Sequence, residues 1–177
     1  MKAASFPLMA ALFLASLGCT TTPAPQGADG ARAEIRDAGG RIVAAAESRD
    51  EGGSIRLHVD SAGLAAGTYG IHVHATGLCE APGFTTAGTH WNPSGRQHGR
   101  DNPQGAHMGD LPNLVVDASG HGSVDYAIGE ASLRGGANPL LDADGAAIVV
   151  HAQADDYRTD PSGNSGPRIA CGILSRG

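Results

Sequence analysis

The sequence predicts an all-β domain of about eight short antiparallel strands joined by several long loops. Short apolar stretches alternate with segments rich in Gly, Pro, Asn and Asp, and 27 of the 177 residues are glycine. No stretch shows the periodicity of an amphipathic helix. At this length, one domain with a substantial core is the default expectation.

Residues 1–18 predict a lipoprotein-type signal peptide. Lys2 precedes an apolar run from Phe6 to Leu17, and Cys19 follows as the residue that would carry lipid. The run is too short to span a membrane as a helix. An ordinary secretory signal cleaved nearby is the alternative. Either signal exports the protein to the periplasm or cell envelope, and lipid on Cys19 would anchor it to a membrane.

Residues 19–30 predict a flexible linker, and residues 31–177 predict the folded domain. The linker is rich in Thr, Pro and Gly and shows no periodicity. The formal net charge is −6, and no stripe of basic residues is present, so nucleic acid is excluded as the expected partner. The sequence leaves open whether the domain is a monomer or a homodimer.

The first half of the domain predicts strands at 32–36, 41–47 and 54–60. The first two flank a Gly-Gly turn of the hairpin type. In the third, apolar and polar residues alternate, which is typical of a half-buried strand. His58 falls on its polar face and is predicted to lie at the surface.

A strand predicted at 68–75 carries His72 and His74 on one face, because side chains alternate with a period of two. Two such imidazoles can chelate a metal, although solvated histidines are the commoner case. The loop at 76–112 has no strand or helix pattern, and a loop of that length is expected only where it is functional. It contains four ligand-type side chains, His90, His98, His107 and Asp110. Imidazole and carboxylate suit zinc and copper, so a metal would organise the loop.

The second half predicts strands at 113–117, 122–128, 146–152 and 168–174. The third of these is apolar throughout and ends close to His151. The segments between these strands are again rich in Gly, Asn and Asp, which favours loops.

Five segments resemble the copper-zinc superoxide dismutases. They are GIHVHATG, AGTHWNPSGRQHG, AHMGDLPNL, VVHAQADD and GNSGPRIACGI, in the order of that family and spread across residues 70–173. The resemblance implies an eight-stranded antiparallel Greek-key β-barrel or sandwich with long metal-binding and electrostatic loops.

The resemblance also implies a role for individual residues. The implied copper ligands are His72, His74, His90 and His151, and the implied zinc ligands are His90, His98, His107 and Asp110. Asp155 matches a carboxylate that hydrogen-bonds one copper ligand and one zinc ligand. Arg168 matches the arginine beside the open copper position. Cys79 and Cys171 match the intrachain disulfide, for which two buried free thiols are the alternative.

The activity implied is that of a superoxide dismutase, with copper and zinc as cofactors and His90 and Arg168 as catalytic residues. Copper cycling between Cu(II) and Cu(I) would convert two superoxide anions and protons to oxygen and hydrogen peroxide. The alternative is a superoxide-dismutase-like domain that binds copper or zinc for storage or delivery without turnover.

Overall fold

The computed structural model describes Met1 and residues 30–176, so the predicted signal peptide, Cys19 and most of the predicted linker lie outside the described residues. The described part contains a single-turn 3-10 helix at Thr85–Ala87 and nine strands. The strands are β1 Gly30–Asp37, β2 Ile42–Asp50, β3 Ser54–Ser61, β4 Gly67–Tyr69, β5 Ile71–His74, β6 Leu114–Val116, β7 Gly122–Gly129, β8 Ala146–His151 and β9 Arg168–Arg176.

The strand predicted at 68–75 is divided at Gly70 into β4 and β5. The backbone N–H of Gly70 donates to the Gln153 carbonyl at 2.7 Å, and its carbonyl accepts from His151 N–H at 2.8 Å. At these bonds the chain stops pairing with β6, the partner of β4, and begins pairing with β8, the partner of β5. A Cβ at position 70 would lie 2.8 Å from the Cβ of Ser165, so only glycine fits there.

Seven strands form one curled antiparallel sheet, in the order β5-β8-β9-β1-β2-β3-β7, and β4 pairs with β6 in a second, two-stranded sheet. The last strand returns to lie beside β1, and β7 lies beside β3 after a long connection. Such returns are typical of Greek-key architectures, so the predicted fold class is confirmed. No helix in the described part of the chain is both long and apolar enough to cross a membrane.

The core lies on the concave side of the curled sheet, where the inward residues of successive strands meet. Strand β3 shows the predicted alternation, with Ile55, Leu57 and Val59 fully buried. His58 lies on the opposite face, where its side chain is 42% exposed, as predicted. Strands β5 and β8 differ because both of their faces are buried. Loops cover their second face, and the histidines lie beneath those loops.

Candidate metal centre

The long loop after β5 runs along the free edge of that strand. The backbone N–H of Trp91 donates to the Val73 carbonyl at 2.8 Å. Isolated antiparallel bridges join ligand-type residues across the same edge, His74 to His90 and His72 to Asp110. Backbone pairing therefore brings the H-x-H pair of β5 next to the loop residues that the sequence singled out.

Four buried histidines form the first group of candidate metal ligands. One nitrogen of each of His72, His74, His90 and His151 lies within 4.8 Å of those of the other three. Three of these rings each keep a buried nitrogen without any hydrogen-bond partner, namely His72 Nδ1, His74 Nε2 and His151 Nε2. A buried polar atom without a partner is costly and needs an explanation.

Each of these three rings is oriented by an acceptor on its other nitrogen. The contacts are His72 Nε2 to Asp155 Oδ2 at 2.9 Å, His74 Nδ1 to the Gly88 carbonyl at 3.0 Å and His151 Nδ1 to the Gly166 carbonyl at 3.1 Å. Such outer contacts fix which nitrogen is free to bind a metal. The group therefore fits a metal with nitrogen ligands, for which copper is suited.

The second group converges on one carboxylate oxygen. Asp110 Oδ1 lies 2.9 Å from His90 Nδ1, 2.9 Å from His98 Nδ1 and 3.2 Å from His107 Nδ1. Asp110 Oδ2 accepts the backbone N–H of Gly99 at 2.9 Å and that of His107 at 3.0 Å. Three imidazoles around one carboxylate form a donor set suited to zinc.

Proximity alone groups the second set differently from the prediction. The ligand atoms that lie within 4.8 Å of one another belong to His72, His90, His98 and Asp110, without His107. Hydrogen bonding separates the candidates, because His107 Nδ1 contacts Asp110 Oδ1, whereas the one bonded nitrogen of His72 faces Asp155. His90 belongs to both groups, and its Nδ1 faces Asp110.

Asp155 connects the two groups from behind. Its Oδ2 lies 2.9 Å from His72 Nε2, and its Oδ1 lies 3.0 Å from His98 Nε2. The side chain is completely buried. A Cβ on Gly163, whose φ is +63°, would lie 1.8 Å from Asp155 Oδ1. Only glycine therefore leaves room for this carboxylate between its two histidines.

Burial makes the first group of imidazoles neutral at pH 7. It lowers the pKa of His72 to about 3, that of His74 to about 2 and that of His151 to about 4. The positive charge of Arg168, and that of His90 when it is protonated, lower the pKa of His74 and His151 further. Neutral imidazole is the form that binds metal.

The second group has the opposite electrostatics. Burial disfavours the charged form of His98, but hydrogen bonds to Asp110 and Asp155 outweigh it and raise its pKa to about 9. Burial likewise acts to raise the pKa of Asp110, but the hydrogen bonds from His107, His90 and His98 bring it well below the usual range of aspartate. The carboxylate is therefore ionised and can serve as an anionic ligand.

Arg168, the first residue of β9, is held by backbone carbonyls of the long loop. Its Nη1 donates to the Phe84 carbonyl at 2.7 Å, and its Nη2 donates to the Gly88 carbonyl at 2.6 Å. The same Gly88 carbonyl contacts His74 Nδ1. One carbonyl thus places the guanidinium next to the first histidine group, and the side chain lies only partly exposed.

The disulfide predicted between Cys79 and Cys171 is present, with the two Cα atoms 5.6 Å apart. It lies in a small apolar cluster on the outer face of the sheet, built from Phe84, Ala87, Ala147, Val149 and Cys171. The bridge ties the loop segment that supplies carbonyls to Arg168 onto β9.

Sequence analysis assigns no role to three residues that build this centre. Asn113 accepts the Asp155 N–H at 2.8 Å on its side-chain oxygen and donates its amide to the Asp155 carbonyl at 2.9 Å. The hydroxyl of Tyr157 accepts the Asn113 N–H at 2.7 Å. Asp160 accepts the backbone N–H of His98. Asn113 lies 42 residues from Asp155 in the chain, so no local pattern indicates the contact.

Comparisons with known proteins show the family of this chain. Residues 38–174 match the family model described as copper/zinc superoxide dismutase. The chain is 46% identical over 130 residues to the superoxide dismutase-like protein YojM of Bacillus subtilis, covering 72% of this chain and 65% of that protein. It is 36% identical over 146 residues to superoxide dismutase [Cu-Zn] 2 of Aquifex aeolicus, covering 81% of this chain and 85% of that protein.

A solved structure shows the same fold. The crystal structure of a superoxide dismutase-like protein from Bacillus subtilis aligns with a TM-score of 0.76 and 40% sequence identity, covering 81% of this chain and 97% of that chain. The chain therefore belongs to the copper/zinc superoxide dismutase family. The family implies copper and zinc as the metals, and the histidine clusters described above could bind them.

Proposed function

We propose that this chain is an active copper-zinc superoxide dismutase, an oxidoreductase that converts two superoxide anions and two protons to oxygen and hydrogen peroxide. The observation that carries the proposal is the set of three buried imidazole nitrogens without a partner, on His72, His74 and His151. They face a shared space beside His90, and the guanidinium of Arg168 is held next to them.

The proposed ligand assignment follows the hydrogen bonds. Copper would be held by four histidines, His72, His74, His90 and His151, and zinc by His90, His98, His107 and Asp110. His90 would use Nδ1 on the zinc side, where it faces Asp110, and its other nitrogen on the copper side. Asp155 would keep one ligand of each metal in register.

When bound, copper supplies the one-electron redox couple, Cu(II)/Cu(I), that the reaction needs. The residues of the chain supply the rest. Arg168 keeps a permanent positive charge with which to hold a small anion. His90 Nε2, when it is not holding copper, would carry one of the two protons that the peroxide product takes up, and the other would come from solvent; Asp110 faces Nδ1 of the same ring. His72, His74 and His151 stay neutral because they are buried.

We further propose that the protein is exported and anchored by lipid on Cys19 in the cell envelope. The signal-like run before Cys19 and the linker after it support this location. The disulfide between Cys79 and Cys171 supports it too, because such bonds persist in oxidising compartments.

A second candidate function is metal binding without turnover. The observation that favours it is that one relative, 46% identical over 130 residues, is named only a superoxide dismutase-like protein. The copper and zinc would then be stored or delivered. Turnover by the metal-loaded protein separates the two functions.

Replacing His151 with alanine tests the proposal. The variant should lose superoxide turnover to the background rate and lose copper, because one of the orphaned nitrogens is gone. About one zinc per chain should remain, since His151 belongs only to the copper-side group and its hydrogen bond is to the Gly166 carbonyl. The control is His58→Ala, which removes an exposed histidine and should leave turnover and both metals unchanged. Full activity in the His151 variant would refute the proposed copper site.

A further inference from the structure

Most of the proposed histidine ligands have a hydrogen-bond acceptor beside the ring nitrogen that would not bind metal, and His107 is the case that needs closer inspection. A histidine that binds one metal commonly rests its other nitrogen on an acceptor. The structure shows that acceptor for four of them, with Asp155 behind His72 and His98, the Gly88 carbonyl behind His74 and the Gly166 carbonyl behind His151. For His107, whose Nδ1 faces Asp110, the question is what lies beside Nε2.

The group beside it is the carboxylate of Asp160, in the loop between β8 and β9. Asp160 Oδ1 lies 3.9 Å from His107 Nε2. That separation is too long for a direct hydrogen bond, but it suits a charge contact or a bridge through one water molecule. The same oxygen accepts the backbone N–H of His98 at 2.6 Å. One side chain therefore contacts two neighbouring residues of the zinc-side group, across 62 positions of sequence.

We propose that Asp160 is a positioning residue of the zinc site: it anchors the backbone of His98 and provides the outer carboxylate that faces His107. The inference rests on the proposed function, because it takes His98 and His107 as zinc ligands. An outer carboxylate orients a ligating imidazole and strengthens it as a donor. Asp160 differs from Asp155 in that its side chain is 48% exposed, so it acts at the open side of the site.

The chain offers a matched control. Asp101 lies on the facing loop, and its side chain is 47% exposed, so it resembles Asp160 in chemistry and exposure. Its contact is Arg158, at 4.0 Å, rather than a histidine of the centre. Asp101→Asn removes the same charge from the same region without touching a proposed ligand.

The test compares Asp160→Asn, Asp160→Ala and Asp101→Asn in the full chain. The asparagine variant keeps an oxygen that can accept the His98 N–H but removes the charge facing His107, whereas the alanine variant removes both. The measurements are the rate of zinc loss to a chelator from zinc-loaded, copper-free protein, the visible spectrum of the cobalt-substituted site, and the unfolding midpoint of the metal-free protein.

We expect zinc loss to accelerate about 10-fold in Asp160→Asn and further in Asp160→Ala, with a shifted cobalt spectrum. Asp101→Asn should behave like the parent protein, and the metal-free midpoint of Asp160→Asn should not change. Equal zinc loss from Asp160→Asn and Asp101→Asn would overturn the role of Asp160. An effect confined to the unfolding midpoint of the metal-free protein would also overturn the role of Asp160.

A His107→Ala variant distinguishes this failure from failure of the proposed function. If the parent protein binds zinc and His107→Ala loses it, the zinc assignment stands and the Asp160 variants decide the role of Asp160 alone. If the parent protein binds no zinc, or His107→Ala binds it as tightly, the zinc assignment is refuted and the proposed role of Asp160 with it.

Discussion

Asp155 contacts one histidine of each proposed metal set, and its own position depends on Asn113, which is remote in sequence, and on Tyr157, which is close. Asn113 brackets its backbone with two hydrogen bonds, and Tyr157 donates its N–H to Asp155 Oδ1 at 2.7 Å. The Tyr157 hydroxyl completes this cycle of hydrogen bonds by accepting the Asn113 N–H. The guanidinium of Arg100 covers the tyrosine ring, 3.8 Å from its centroid. This network holds the carboxylate between the two metal sets.

Tyr157→Phe should weaken that network. The substitution leaves the Asn113 N–H without its acceptor, which should lower the free energy of unfolding by about 1 kcal/mol. Denaturant unfolding of the metal-free protein measures the effect. The control is Tyr69→Phe, which removes a hydroxyl that donates to the Ala65 carbonyl at an exposed position and should change stability less. Equal effects of the two substitutions would contradict the role assigned to Tyr157.

At the scale of elements, the outer edge of β5 is completed by the long loop rather than by another strand. Val73 donates its N–H to the Gly109 carbonyl at 2.9 Å, and Gly109 donates its own N–H to the Trp91 carbonyl at 2.9 Å. A Cβ on Gly109 would lie 2.4 Å from the Val73 carbonyl oxygen. The close approach of loop and strand, which brings Asp110 to the site, therefore requires glycine.

Gly109→Ala should separate the loop from β5. Forcing a methyl group against backbone atoms costs about 1–3 kcal/mol in packed regions, and the shift should also weaken zinc binding because Asp110 follows directly. Thermal unfolding and zinc titration measure the two effects. Gly129→Ala is the matched control, since a Cβ there meets no atom within 4 Å. Unchanged zinc affinity in Gly109→Ala would count against this account of the loop.

The strands were readable from the sequence because alternation is a local signal. The predicted strands 32–36, 54–60 and 122–128 lie inside β1, β3 and β7 with margins of no more than a few residues. The division at Gly70 was missed, since it depends on hydrogen bonds to Gln153 and His151. The local alternation of apolar and polar residues does not indicate hydrogen bonds to a segment about 80 residues away.

The ligand-type residues of the site were also visible, but their arrangement was not. Their density in residues 72–110 indicated a metal, and only the resemblance to a family divided them into two sets. The contact between His72 and Asp155 spans 83 residues, and the carbonyls that hold Arg168 come from a loop 80 and more residues earlier. Such contacts follow from the closure of the sheet, which a single sequence does not show.

For the whole molecule, the titration of the buried histidines predicts how the metal-free protein responds to pH. The folded-state pKa values of His72, about 3, and His151, about 4, lie below the unfolded value of about 6.5. The unfolded chain therefore binds more protons between these values, and stability should fall as the pH drops below about 6.5.

His98 should act in the opposite direction. Its folded-state pKa is raised to about 9, so its contribution to stability is complete below about 6.5 and is lost as the pH rises through about 9. Denaturant unfolding of metal-free protein across pH 4–10 measures both limbs of the stability profile, the loss on the acid side and the loss on the alkaline side. A stability profile without an acid limb would contradict the burial of neutral histidines. Bound metal should remove the alkaline limb, because metal takes the place of the proton on His98, and should steepen the acid limb, because metal-bound imidazoles cannot take up the protons that the unfolded chain binds.

The most direct test of the central claim is superoxide turnover by the purified chain after loading with copper and zinc, with both metals quantified on the same sample. The account predicts about one copper and one zinc per chain, together with rapid turnover that disappears when copper is removed. Both metals bound at that ratio without turnover would contradict the enzyme assignment and leave a metal-binding member of the family.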